Sequence, residues 1–194
     1  MKADDKRIST RTGRRIVTGL TDAMFALASE QAFERIRVNT ICERADYPRA
    51  TFYNYFSDKY DLLNHCWIRM EQGFAPADYM QAGNGFHALF DHIADLFEQH
   101  IDLMHAVLRH DGIEGELMHS LVTYLTARMR QTFRDNGCYH LHGSVDMPQD
   151  MMADFCSNTM LLIIRWTFLG ASPISHEQAH QLIDDLIIHA VEAR

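Results

Sequence analysis

Between Arg37 and Lys59 this 194-residue chain concentrates side chains suited to holding a polyanion that carries flat, hydrogen-bonding bases. They are Arg37, Asn39 and Thr40, then Arg49, Thr51, Tyr53, Asn54 and Tyr55, and finally Lys59. Arg49 carries a planar fork of N–H donors whose geometry matches the O6 and N7 acceptors of guanine in a duplex major groove. Thr51 offers a methyl group to thymine or a hydroxyl to a phosphate. Asn54, a helical turn further on, is placed to reach a base edge or a phosphate. Lys59, at the start of a helix, brings both a charge and a backbone amide. Arg37, Asn39 and Thr40 cluster around the start of an earlier short helix, where flanking phosphates are the natural partners.

Such residues read a groove only if short helices hold them. Ile16, Leu20, Ala23, Met24 and Leu27 recur at three- and four-residue steps, which predicts a long helix from about Arg11 to Gln31. Residues 1–10 are polar and are expected to fray. A short helix is predicted over 38–45, a turn at Asp46-Tyr47-Pro48, and a second short helix over 49–56. Pro48 suits the start of that helix, where its missing N–H lacks a partner in any case. Phe52 and Phe56 fall on its core side. Asp58 and Asp61 are favourable beside the exposed amides of a fourth helix running to about Gly73. A brace helix, a tight turn and a short helix presented by its N-terminal end together form the helix-turn-helix arrangement.

The segment from Arg37 to Phe56, RVNTICERADYPRATFYNYF, resembles the headpiece of the TetR/AcrR family of regulators, and the likeness continues through Leu63. Val38, Ile41, Ala45, Thr51-Phe52-Tyr53, Phe56, Lys59 and Leu62-Leu63 carry it, and with the first helix it covers roughly residues 11–65. Beyond that it weakens to helix count and the closing Trp166, Gly170 and Ser175. The resemblance implies an all-α protein of about nine helices. A three-helix headpiece would occupy residues 1–65, with its motif at about 37–56, and a helical ligand-sensing and dimerisation domain residues 66–194. Tyr53 and Tyr55 resemble the family's phosphate-contacting aromatics. Three positions depart from the family pattern: Asp46 stands where glycine is usual, Pro48 where a capping serine is usual, and Arg37 where a small polar residue is usual. Asp tolerates a left-handed turn better than most residues.

Charge is divided to match. Residues 1–60 hold eleven Lys/Arg against eight Asp/Glu, while residues 61–194 hold seven against eighteen, giving the overall −8. A basic head on an acidic body is what phosphate contact by the first segment alone requires. Past a loop at 74–85, apolar periodicity predicts helices over 86–100, 101–110, 113–136 and 151–169. A loop is expected over 138–148, and a last helix, opened by a capping box at Ser175–Gln178, to about Ala193. The two late helices are the most apolar and are expected to form a homodimer interface, which makes the operator palindromic. Trp67, Met70, Phe90, Phe97, Met104, Leu108, Met118 and Tyr124 are the candidate lining of a pocket for an unknown small-molecule inducer. Double-stranded DNA, a second copy and that inducer are the expected partners.

The four cysteines are dispersed and the twelve histidines have no zinc spacing (His100, His105 and His110 stand five apart and share no helix face), so neither metal nor cofactor is expected. The N-terminus lacks the apolar core of a signal peptide, the run Met160–Ile164 is too short to cross a bilayer, and the expected location is the cytoplasm. Neither a Ser/His/Asp spacing nor a phosphate loop points to an enzyme. The expected function is transcription regulation by a ligand-responsive repressor. A coactivator of the same fold, docking on a protein partner, is the alternative.

Overall fold

The computed structural model describes residue 8 and residues 10–71, 85–136, 139–141, 147–170 and 172–193. Among these, nine α-helices carry the fold. They are α1 (Arg11–Glu30), α2 (Val38–Ala45), α3 (Arg49–Tyr55), α4 (Lys59–Met70), α5 (Gly85–Gln99), α6 (Ile101–Asp111), α7 (Glu116–Asn136), α8 (Gln149–Phe168) and α9 (His176–Ile183). A 3-10 turn, Phe33–Arg35, joins α1 to α2. Two short antiparallel strands, β1 (Tyr139–Leu141) and β2 (Val191–Ala193), pair Tyr139 with Ala193 and Leu141 with Val191.

The chain divides into two compact units. One is Met1–Gln72 with His100–Leu121, and the other is Gly73–Gln99 with Val122–Arg194. In the first, α1 packs on α2, α4 and α6. Its apolar stripe is wholly buried at Leu20, Met24 and Leu27, and meets Ile41, Phe52, Leu62 and Trp67 in one core. Thr10 caps α1 by accepting a bond from the Gly13 amide at 2.9 Å, satisfying one of the amides a helix start leaves open.

In the second unit α5, α8 and α9 pack together around Phe90, Ile93, Met160, Ile164 and Ile183. The Phe97 and Phe168 rings stack with centroids 5.2 Å apart. Ser175 and Gln178 form the expected reciprocal cap on α9. The last helix stops earlier than its apolar pattern predicts. From Asp184 to Ile188 it widens into a π turn, marked by the His189 amide bonding to the Asp184 carbonyl at 2.8 Å, and residues 191–193 then leave as a strand. One face of this segment pairs with α5: His180 Nε2 sits 2.6 Å from Asp91 and Asp184 sits 3.0 Å from His87 Nε2. Apolar spacing does not reveal such a slip, because the buried positions continue at Ile183 and Ile187. Strand β1 likewise replaces loop within 138–148, and its partner is too distant in sequence for a local pattern to show. Of the loop expected at 74–85, residues 74–84 lie outside the described residues and Gly85 opens α5.

Candidate nucleic-acid interface

Each piece of the headpiece is fixed by a local rule. Arg37 stands at the N-cap of α2 in extended conformation and makes no side-chain cap, so its guanidinium is left outward and exposed. At the other end of α2, Asp46 takes the left-handed conformation, φ 56° and ψ 44°. Its amide bonds to the Glu43 carbonyl at 3.3 Å and the Tyr47 amide to the Cys42 carbonyl at 3.0 Å, the paired closure of a Schellman turn. The turn therefore forms with aspartate in place of glycine. Tyr47 then lies against α1 at Gly19, where a Cβ would come within 3.0 Å of the ring. A glycine is needed there for close approach, not for its backbone.

Pro48 precedes α3 with φ −61° and gives no side-chain cap; its carbonyl takes the Thr51 amide at 2.9 Å. Phe52 and Phe56 are buried, at 0% and 2% exposure, and their rings pack 5.7 Å apart. They pin the inner face of α3, which ends at Tyr55 with Phe56 as its cap. The outer face presents Arg49, Tyr53 and Asn54 as exposed side chains, with Thr51 and Tyr55 half-buried beside them. Asn39 on α2 is exposed and Thr40 half-buried. Asn39, Cys42, Glu43, Asp46, Tyr47, Pro48 and Arg49 together line a hollow of about 400 Å³ between α2 and the start of α3.

Arg49 is not loose in solvent. Its Nη2 donates to the Tyr53 hydroxyl at 3.3 Å, and its guanidinium carbon lies 5.7 Å from the centre of that ring. The Tyr53 bond raises the Arg49 pKa further. Two other cations are already paired within the protein, Arg44 at the surface and Lys59 half-buried. Arg44 grips Glu30 through two bonds, 2.9 and 2.6 Å. Lys59 donates its ammonium to the Phe33 carbonyl at 2.9 Å and sits 4.3 Å over the Phe33 ring, and burial lowers its pKa. The Lys59 charge thus ties α4 to the 3-10 turn. Asp58 caps that helix by accepting from the Tyr60 and Asp61 amides, both at 2.9 Å.

A knot of bonds in the same unit was not visible from spacing. Asp111, at the end of α6, accepts from the Phe33 amide at 3.1 Å and from the Leu117 amide at 3.0 Å. The Tyr60 hydroxyl donates to Glu116 at 3.2 Å, and Trp67 Nε1 donates to Ser120 at 2.9 Å. The segment leading into α2 is thereby fastened to α4, α6 and the start of α7. The only sequence signal was an aspartate at a helix end, four residues before Gly115.

The eight candidate pocket residues fall in both units. Trp67, Met104 and Met118 are buried and Met70 and Leu108 half-buried in the first; Phe90 and Phe97 are buried and Tyr124 half-buried in the second. Among the described residues no group of three His, Cys, Asp or Glu is arranged to hold a metal ion, and no helix is long and apolar enough to cross a membrane.

Residues 20–66, from α1 through most of α4, match the family described as bacterial regulatory proteins, tetR family. The fold is similar to the crystal structure of a TetR transcriptional regulator from Streptococcus agalactiae 2603V. That likeness has 18% identity and a TM-score of 0.58, over 96% of this chain and 97% of that one. It is also similar to the dihydroxyacetone kinase operon activator DhaS, at 14% identity and a TM-score of 0.51, over 90% of this chain and 96% of that one. No curated protein matches the sequence.

Proposed function

Because residues 20–66 match the tetR family of bacterial regulatory proteins, we propose that this chain is a DNA-binding transcription regulator that acts as a ligand-responsive repressor. In this reading it grips a palindromic operator as a homodimer. The observation that carries the DNA part is the two-faced α3: Phe52 fully buried on one side, Arg49, Tyr53 and Asn54 exposed on the other. A short helix so pinned can enter a major groove without unfolding its support. Arg49 reads guanine; Arg37, Asn39, Thr40, Thr51, Asn54, Tyr55 and the Lys59 amide hold base edges and backbone around it.

One reading helix spans few base pairs, and two copies on a two-fold axis lengthen the site. An apolar stripe supports α8 as the dimer face: Met151, Leu162 and Trp166 lie at helical spacing and are at least half exposed, and Leu186 in the π turn is also exposed. Exposed large apolar side chains recurring along one helix favour association there. For the response, α4 is the part that both the head and the start of α7 hold, through Lys59, Tyr60 and Trp67. A ligand favouring a displaced α4 by a few kcal/mol releases DNA.

Gel shifts with duplexes selected from random-sequence DNA test the reading. Expected are salt-sensitive binding, a two-fold-symmetric site, and weaker, less sequence-selective binding on Arg49→Ala. Sedimentation should give a dimer that Leu162→Glu with Trp166→Glu converts to a folded monomer with weak operator binding. Activation is the second reading, favoured only by the similar fold of a protein titled an operon activator; a reporter behind the selected site, with and without the protein, separates the two by the direction of change.

A further inference from the structure

We propose that Tyr53 is the positioning residue for Arg49, holding the guanidinium fork ready for a base edge. The inference rests on the reading of α3 as the groove helix and adds how its specificity is set. Positions 49 and 53 are one turn apart on α3, so their side chains lie on the same face. The Tyr53 hydroxyl accepts from Arg49 Nη2 at 3.3 Å, and the guanidinium leans over the ring. Tyr53 itself is anchored: its ring meets Phe52 edge-on, centroids 5.4 Å apart at 82°, and Phe52 is completely buried. A rigid core residue thus fixes an aromatic ring, and the ring fixes an arginine on the surface.

The arrangement has two consequences for reading. An arginine free in solvent loses many rotamers when it docks, while one already held loses fewer. One guanidinium N–H is spent on the phenol, and four remain, enough for a bidentate contact with guanine. The second consequence concerns competition. Glu43 and Asp46 line the same hollow as Arg49, and a carboxylate holds a guanidinium far more strongly than a neutral hydroxyl does. Tyr53 gives the fork a neutral partner that a base edge can displace. Without it the fork is free to swing to the hollow's carboxylates and is withheld from DNA.

Tyr53→Phe separates positioning from direct phosphate contact, since the ring and its packing on Phe52 remain. Duplexes are first selected from random-sequence DNA with the wild-type protein. The G·C pair whose preference over A·T disappears in Arg49→Ala is then identified. Affinities of wild type and Tyr53→Phe are measured on the matched duplex and on the duplex with that pair changed to A·T. The expected result is a drop of about fivefold in the G·C preference ratio, the scale of one side-chain hydrogen bond, with the matched duplex losing most. Equal loss on both duplexes would make Tyr53 a phosphate donor and overturn the proposal, as would an unchanged ratio. A wild-type protein that selects no sequence removes the groove reading itself, a different failure from either. Thermal melting of each variant verifies that the fold is retained.

Discussion

Asp111→Ala should loosen the segment that leads into α2. The carboxylate accepts two amides at once, Phe33 at 3.1 Å and Leu117 at 3.0 Å, both partly buried. Hydrogen bonds to a charged group contribute about 1.5–3 kcal/mol each. Water can replace part of each bond at such sites, so the pair is worth about 3 kcal/mol. For a chain of this size a loss of that order lowers Tm by about 6–12 °C. Asp111→Asn is the sharper variant, because its amide nitrogen cannot accept and turns one contact into donor against donor. Gly115→Ala attacks the same knot from the other side: a Cβ there would lie 2.3 Å from the Asp111 carbonyl oxygen and 2.4 Å from its carboxylate. Thermal melts followed by circular dichroism measure all three, and the double variant Asp111→Ala with Gly115→Ala should lose less than the two losses added. Melts of Asp111→Ala and Asp111→Asn within about a degree of wild type, or full additivity with Gly115→Ala, would refute the knot.

Other perturbations have equally definite directions. Asp46→Val should cost about 1–2 kcal/mol in urea unfolding, because a branched side chain resists the left-handed turn, while Asp46→Gly should be neutral or better. Burial against Phe56, ring centroids 5.6 Å apart, pushes the His65 imidazole pKa down. The unfolded chain therefore takes up that proton first, so stability is whole above about pH 6.5 and falls as pH drops below it; His65→Gln should flatten this fall in urea midpoints. Burial pushes the Cys156 thiol up to about 12 from an ordinary 9.0. Its protonated form belongs to the folded state, so stability is whole below the ordinary value and declines as pH rises through that window. Cys156→Ala should reduce the alkaline slope.

Much of the headpiece was legible because its determinants are local. The apolar stripe of α1, the Pro48 start of α3 and the Asp58 cap each act within a turn or two of the backbone, and Asp46 had only one conformation open to it at a tight turn. The exposed set on α3 followed from Phe52 and Phe56 being the residues that must face inward. What sequence could not show were partnerships over distance. Lys59 looks like a free cation at a helix start, yet its ammonium is taken by the Phe33 carbonyl, 26 residues earlier. Asp111 looks like a solvated helix-end charge, yet it holds Phe33 across 78 residues. The π turn at Asp184–Ile188 was hidden for the opposite reason, since apolar residues fall where an unbroken helix would also want them. Arg49 and Tyr53, four apart, were both singled out as DNA contacts; their bond to one another became evident only with the Phe52 anchor beneath them.

Guanine N7 projects into the major groove, so methylating it blocks any fork that reads there. Methylation interference on a duplex selected by the wild-type protein should show guanine N7 positions that abolish binding, arranged about a two-fold axis and insensitive in Arg49→Ala. Binding indifferent to N7 methylation, or interference confined to adenine N3 in the minor groove, would contradict α3 as the helix that reads DNA.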